Sequence, residues 1–438
     1  MNIEREIALQ ALLEFRKSGA WPDLYLKNKL NDVSRAQAAL ATNITYGVLQ
    51  KQSLLDYYIS CFSSVKLPKI TPIVLDAMRM AVYQILFLDK IPDSAAVNES
   101  VDLIKKYGQS KASGFANGVL RTIVRQKDNL PEVKGKTFTE TLAIRYSHPV
   151  WLVRRLIKML GGDEAEALLR ANNEPVRPVI RVNTLKTTSA AFADAVKGLT
   201  GNSLEAVEGL SDGYYADDLA ELLKSDLFAD GHFYVQDAAS QYAVHTLAPQ
   251  PGDRVLDICA APGGKSILAA QLMEDKGILI SNDLYEHKAA LIRANAEKYG
   301  IHILQESCKD SCLYNPDFEQ SFDKIICDVP CSGLGIIRKK PDIRFKEEGP
   351  LADLLPIQKK ILDNAASYLK PGGTMIYTTC TILPEENERM LKNFLKTHED
   401  FHLCSFDIRG EKIDGYITLY PHRHGTDGFF ISKLERRA

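Results

Sequence analysis

Val255-Leu-Asp-Ile-Cys-Ala-Ala-Pro-Gly-Gly-Lys-Ser266 decides how the rest of the chain is read. Residues 255–258 form a short apolar run holding one acid, Asp257, with Pro251-Gly252-Asp253 upstream, which is the pattern of a buried parallel strand. Residues 260–264 are a turn of small side chains, and from 265 to 273 apolar residues return at helical spacing. Strand, glycine turn and helix make the corner of a doubly wound sheet, where backbone approaches a nucleotide closely. A Walker A loop requires glycine where Cys259 stands, and no glycine alternates as a dinucleotide G-x-G-x-x-G demands. Residues 277–281 read as the next strand, and Asp283 just beyond suits the hydroxyls of a ribose. The ligand implied is an adenosyl compound without a pyrophosphate.

Downstream, strand and helix alternate. Strands are expected at 254–259, 277–281, 302–305, 322–328 and 374–379, with helices at 285–299 and 351–369, the latter stopped by Lys370-Pro-Gly-Gly373. This is an open parallel sheet whose ligands sit beyond the carboxyl ends of the strands. Cys259, Asp283, Asp310, Asp328 and Cys380 all fall at or just past such ends. The segments 401–408, 416–419 and 429–434 are expected to add antiparallel edge strands.

Upstream the texture differs. Residues 1–140 read as helix after helix, with 73–88 apolar nearly all round and therefore central. They carry 19 Lys and Arg against 14 Asp and Glu, net +5, whereas the remainder carries 35 against 42, net −7. A basic front suits either nucleic acid or an ordinary solvated helical surface. Residues 141–230 form a small α/β segment in which His148 reads as a turn residue. Phe233-Tyr-Val-Gln-Asp237 is placed either beside the ligand or as a cap on the sheet. Residues 1–5 run straight into an amphipathic helix without a leader, no apolar run is membrane-length, and eight cysteines read as reduced thiols, so a cytoplasmic location is expected. The spacings Cys308-x3-Cys312 and Cys327-x3-Cys331 are poor metal sites, and no metal is expected.

Two strand ends carry chemistry. Asp328-Val-Pro-Cys-Ser-Gly333 projects an acid and a thiol over the sheet, and Thr378-Thr-Cys-Thr381 places a second thiol at the next strand end. Methylating C5 of cytosine needs such groups: a thiolate adds to C6 to make C5 nucleophilic, an acid stabilises the adduct, and a base removes the C5 proton. Cys380, Cys331 and Asp328 are available for these roles, and the residues alone leave open which thiol attacks. A noncatalytic RNA-binding scaffold would leave the paired thiols idle.

Residues 322–333, with Asp257-Ile-Cys-Ala-Ala-Pro-Gly-Gly-Lys265 and Thr379-Cys380, resemble the Sun (Fmu) and nucleolar-protein family of RNA cytosine-C5 methyltransferases over roughly 145–438, departing only at Ile326. Arg35-Ala-Gln-Ala-Ala-Leu40 and Thr45-Tyr-Gly-Val-Leu49 resemble the helical RNA-binding NusB fold over roughly 1–140. The resemblance implies an all-α bundle followed by a class I, Rossmann-like S-adenosylmethionine-dependent methyltransferase sheet. Its expected divisions are 1–140, a small α/β RNA-binding subdomain at 141–230, and the methyltransferase domain at 231–438. It further implies that Cys380 attacks, that Cys331 serves release and that Asp328 serves as acid and base-recognition group. S-adenosylmethionine is then expected at Cys259, Ala260, Ala261, Pro262, Gly263, Gly264, Lys265, Asp283, Asp310 and Asp328. The substrate implied is 16S ribosomal RNA at cytosine 967, with no obligate protein partner evident. A basic loop at Arg338, Lys339, Lys340 and Arg344 is expected against the RNA backbone.

Overall fold

The computed structural model describes residues 3–19 and 22–438. The leaderless start read from residues 1–5 therefore falls partly on residues 1 and 2, outside the described ones. The chain divides into two compact units, Met1–Asn173 with Lys340–Lys346, and Glu174–Lys339 with Glu347–Ala438.

The first unit is helical. Its centre is the helix Pro72–Phe87, which buries all but four of its 16 residues against the helices Ile3–Ser18, Arg35–Phe62, Asp93–Lys106 and Ser110–Arg125. Two charges inside that helix are paired rather than stranded. Arg79 donates to Asp56 at 2.7 and 2.6 Å and to Asp76 at 2.8 Å, and Arg16 reaches Asp76 at 2.6 Å. Thr71 is the N-cap of this helix, with Pro72 at its first position, and Pro92 is the N-cap of the following one. The helices Val150–Leu160 and Gly162–Ala171 pack with Phe138–Tyr146, so the helical unit runs past the expected division at 140. Their apolar faces, Leu152, Val153 and Leu156 on one and Leu168 and Leu169 on the other, need that neighbour to be buried. His148 is buried in the turn between Phe138–Tyr146 and Val150–Leu160, its Nδ1 2.8 Å from the Tyr146 carbonyl.

Arg344 enters this unit from the short turn Pro341–Phe345 and is 4% exposed. Nη1 donates to the carbonyls of Gln50, Tyr146 and Ser147 at 2.8, 3.0 and 3.0 Å, and Nη2 to the Asn172 carbonyl and Asn173 Oδ1 at 3.0 and 2.7 Å. These acceptors have a common origin. Helix Arg35–Phe62 is non-helical at Lys51, and Ser147 and Asn172 are the C-caps of two others, so their carbonyls lack intrahelical partners. The expectation that Arg344 contacts RNA is thus corrected: its guanidinium is enclosed by carbonyl oxygens.

The second unit holds two main sheets. Its strands are β1 (Val179–Val182), β2 (Glu205–Ala206), β3 (Gly213–Tyr215), β4 (Phe233–Val235), β5 (Arg254–Asp257), β6 (Ile278–Asp283), β7 (Leu304–Cys308), β8 (Phe322–Asp328), β9 (Leu369–Thr379), β10 (Phe401–Leu403), β11 (Phe406–Ile408), β12 (Glu411–Ile413), β13 (Tyr416–Leu419) and β14 (Phe429–Arg436). The small sheet is antiparallel in the order β2-β3-β1-β4. The large one runs β10-β14-β9-β8-β5-β6-β7, with β13 also on β14, and its five central strands, β9 to β7, are parallel. All five expected parallel strands are present. One edge expectation changes: β14 lies inside the sheet, antiparallel to β9 on one side and to β10 and β13 on the other. Residues 406–408 leave it to pair with β12. Apolar residues on both faces of β14 (Phe430, Ile431 and Leu434) are fully buried, which suits an interior strand.

Asn183 joins the two sheets. Its buried amide donates to the carbonyls of Gly231 and Tyr299 at 2.9 Å each and accepts from Gln271 at 2.8 Å. That attachment positions β4 and the residues after it over the glycine turn.

Candidate active site

The chain leaves β5, builds β6 and β7 on one side, then crosses back to β8 and β9 on the other. The order reverses between β5 and β8, and a crevice opens at their carboxyl ends. Gly263 there has φ +100°, a backbone state that side chains rarely adopt, and the helix Gly264–Leu272 follows at once. A Cβ on Gly264 would lie 3.1 Å from the Tyr234 ring, so β4 and the turn meet closely and a side chain there would push the ring back by a few tenths of an ångström.

Between them lies a cavity of about 230 Å³ lined by the turn, by Tyr234 to Asp237, and by Asp257, Lys265 and Asp328. The segment left with two readings from sequence is therefore a wall of this cavity. Asp257 is buried at its floor. Ser266 donates to its Oδ2 at 2.7 Å, whereas Oδ1 has no partner, and burial pushes its pKa up to about 7. Asp283, at the end of β6, accepts from the Ala261 amide at 3.3 Å and so braces the turn from the adjacent strand. Asp310 is not brought to the cavity. It is exposed, and its carboxylate accepts from the Cys312 amide of its own loop at 2.9 Å. The loop is held instead by Asn282, which receives the Lys309 amide at 3.0 Å, and by Ser311, which donates to the Ile258 carbonyl at 2.7 Å. Neither carried a signal in sequence, since Asn282 is an ordinary polar residue near a strand end and Ser311 an ordinary polar residue of a loop.

On the other side of the reversal stand the thiols. Cys331 and Cys380 have their sulfurs 3.1 Å apart, although 49 residues separate them. Asp328, at the end of β8, accepts from Lys265 Nζ and from Thr378 Oγ1, both at 2.7 Å. Lys265 stays protonated: burial opposes its charge, but Asp328 outweighs it and raises the pKa. The thiols are inequivalent. The hydrogen bond from Cys331 lowers the Cys380 pKa against the opposing effects of burial and of Asp328, and Lys265 helps. Cys331 is raised by the same bond, by burial, and by the charges of Glu386 and Asp328. The negative charge thus belongs on Cys380.

A close backbone approach supports this pair. The Gly335 amide donates to the Cys380 carbonyl at 3.0 Å, and Gly428 to that of Gly335 at 2.8 Å. A Cβ on Gly335 would fall 1.8 Å from the Gly428 carbonyl oxygen, which cannot be relieved by rotating a side chain. Gly335→Ala is expected to displace the Cys380 loop and lower turnover on the order of 100-fold while leaving cofactor affinity within about threefold. Steady-state rates and equilibrium dialysis check this. Unchanged turnover would show that the approach does not matter.

The basic loop splits. Lys339 bridges Asp237 and Asp427 at 2.8 and 2.7 Å, and Arg338 reaches Asp427 at 3.1 Å. Arg338 and Lys339 thereby tie the cavity wall at Asp237 to the segment after Gly425, while Lys340 is exposed. Of the cysteines weighed as metal ligands, Cys327 is buried within β8. Among the described residues, the side chains grouped closely enough to hold an ion are His402 on β10, Cys404 just after it and Glu435 on β14, not in this crevice. No described helix is long and apolar enough to cross a membrane.

With this geometry in hand, the comparisons are specific. Residues 244–435 match the family described as 16S rRNA methyltransferase RsmB/F, residues 149–238 the N-terminal domain of 16S rRNA methyltransferase RsmF, and residues 2–125 the NusB family. The chain is 36% identical to the probable ribosomal RNA small subunit methyltransferase B of Bacillus subtilis (strain 168), covering 99% of this chain and 98% of that protein. It is 31% identical to ribosomal RNA small subunit methyltransferase B of Escherichia coli O1:K1, again over 99% and 98%. Among solved structures, that of PH0851 is similar over 98% of both chains, with 29% identity and a TM-score of 0.79. A methyltransferase homolog from Pyrococcus horikoshii covers 70% of this chain and 100% of its own, with 26% identity and a TM-score of 0.61.

Proposed function

The chain belongs to the 16S rRNA methyltransferase RsmB/F family, and from that premise we propose that it methylates C5 of one cytosine in 16S ribosomal RNA, cytosine 967, through a covalent bond between Cys380 and C6. The observation that carries this reading is the pair of sulfurs 3.1 Å apart next to the Lys265–Asp328 pair, whose members line the cavity.

The residues present fit S-adenosylmethionine. The cavity offers a glycine turn that brings backbone close to the ligand's place, with Gly263 at positive φ, and a buried Asp257 oxygen without a partner. Cys259 to Lys265 would hold the ligand from one side, with Asp257 below and Asp283 behind the turn. When bound, this donor supplies an electrophilic methyl group at the crevice.

The chain's own groups do the rest. Cys380, as thiolate, adds to C6, and the electron pair displaced from the C5–C6 bond makes C5 nucleophilic. The Asp328 carboxylate and the Lys265 ammonium offer an acceptor and a donor to the N4 and N3 edge, which stabilises the charge pushed into the ring. After C5 has been methylated, Cys331 gives its thiol proton to water and, as thiolate, takes the C5 proton; the C–H electron pair re-forms the C5–C6 double bond, the S–C6 bond breaks, and Cys380 leaves as thiolate. Adduct formation removes the charge on Cys380, so Cys331 no longer faces that repulsion when it must ionise. The target base has to be unstacked for both faces to be reached. Residues 1–140, which carry the basic excess, and 141–230 are assigned to gripping the RNA in the cytoplasm.

The test incubates the protein with 16S RNA and S-adenosylmethionine labelled in its methyl group, followed by nucleoside analysis. The label is expected in 5-methylcytidine at position 967 and absent when that cytosine is replaced by uridine. Label on the exocyclic N4 or on another base would overturn the proposal.

A further inference from the structure

Between the two thiol-bearing turns lies a buried carboxylate that the reaction above does not use. Glu386 precedes the helix Glu388–Thr397 and is 1% exposed. Its Oε2 accepts from the Ser332 amide at 2.9 Å and from Gln358 Nε2 at 2.8 Å, and its Oε1 accepts from Ser332 Oγ at 2.6 Å. Ser332 Oγ also lies 2.7 Å from Thr381 Oγ1, and Gln358 donates to the Pro330 carbonyl at 2.9 Å. Tyr377 donates to the backbone carbonyl of Glu386 at 2.7 Å. Ser332, which follows Cys331, is therefore tied to the acid directly, and Thr381, which follows Cys380, is tied to it through the Ser332 hydroxyl.

No lysine, arginine or histidine among the described residues pairs with this carboxylate. A buried charge held only by neutral hydrogen bonds is weakly screened and acts on its ionisable neighbours. The groups acting on Cys331 are Cys380, Glu386 and Asp328. Those acting on Cys380 are Cys331, Asp328, Lys265 and Asp427. The cation in these two sets, Lys265, therefore favours charge on one thiol, and Glu386 opposes it on the other.

We propose that Glu386 is a positioning residue that divides the labour between the thiols: it clamps the Cys331 turn to Thr381, and its charge keeps Cys331 protonated so that the thiolate resides on Cys380. The proposal rests on the assignment of Cys380 as the attacking group. It gives the acid a function that a helix-start carboxylate in a loop would not have.

The experiment needs no RNA. The intact chain is treated with iodoacetamide across a pH series, and alkylation at each cysteine is read by peptide mass spectrometry. In the wild type, Cys380 is expected to react with a midpoint at least about one pH unit below that of Cys331, roughly a tenfold difference in thiolate population at a given pH. Glu386→Gln keeps the shape and removes the charge, and is expected to shrink the Cys380-to-Cys331 rate ratio at pH 8 by at least about threefold. An unchanged ratio in a Glu386→Gln protein with wild-type circular dichroism and melting temperature overturns the proposal. Equal or reversed midpoints in the wild type overturn it whether or not the variant folds. Failure of the wild type to methylate cytosine would instead sink the reaction assignment and leave the alkylation comparison standing.

Discussion

Replacing Cys380 by alanine is expected to abolish methyl transfer, lowering the rate by on the order of 10⁴-fold or more, because a covalent nucleophile is removed. Replacing Cys331 by alanine is expected to have a different result: attack and methylation proceed, release fails, and an RNA–protein adduct accumulates that survives a denaturing gel. The contrast follows from the site's charges. Cys380 is the thiol favoured as thiolate, by the Cys331 hydrogen bond and by Lys265, whereas Cys331 faces Glu386 and Asp328. A lowered thiol pKa also sets the pH dependence. The attacking form gains population as pH rises through that pKa, so kcat/KM should rise and level off below the ordinary thiol value of about 8.5. Near-normal turnover in Cys380→Ala, with the adduct lost in Cys331→Ala, would reverse the two roles. A rising limb centred above pH 8.5 would remove the electrostatic argument.

The second large effect concerns stability. Arg344→Ala is expected to destabilise the helical unit by about 3–5 kcal/mol, because it removes five donor contacts at once and leaves buried acceptors unpaired. Arg344→Lys should recover only part of this, since an ammonium cannot reproduce the fork that spans five acceptors. Burial already works against the guanidinium, lowering its pKa to about 9, which shows how far these bonds must compensate for lost hydration. The measurement is made in a Trp21→Phe background: the remaining tryptophan, Trp151, donates its Nε1 to the Lys346 carbonyl at 3.2 Å within the first unit, so its fluorescence in urea follows that unit. A midpoint shift equivalent to less than about 1 kcal/mol would mean that water replaces the guanidinium without penalty.

Much of the catalytic unit was legible because its signals are local. A buried strand, a glycine turn and a helix announce themselves within twelve residues, 255 to 266, and Asp283 and Asp328 fall at strand ends that alternation alone places. The basic loop shows the opposite. Arg338, Lys339, Lys340 and Arg344 look alike in sequence, but the first two meet Asp237 and Asp427, the third is exposed, and the last is enclosed by carbonyls. Charge is visible in a sequence, whereas its partners are chosen by residues about 90 to nearly 300 positions away. Asp310 fails for a related reason. It lies just past a strand end, where ligands gather, yet its side chain turns to cap its own loop.

By itself, the sequence determined the order of elements, the parallel sheet and the chemical types at its carboxyl edge, because hydrophobic period and turn residues act over short distances. Only the tertiary structure decided that β14 lies inside the sheet, that the wall of the cavity comes from Tyr234 to Asp237, and that Glu386 sits between the thiol turns. It also decided the inequivalence of Cys331 and Cys380. That difference arises from the Cys331–Cys380 hydrogen bond, with Lys265 and Glu386 acting through space at a strand reversal, and an arrangement of that kind has no period along the chain.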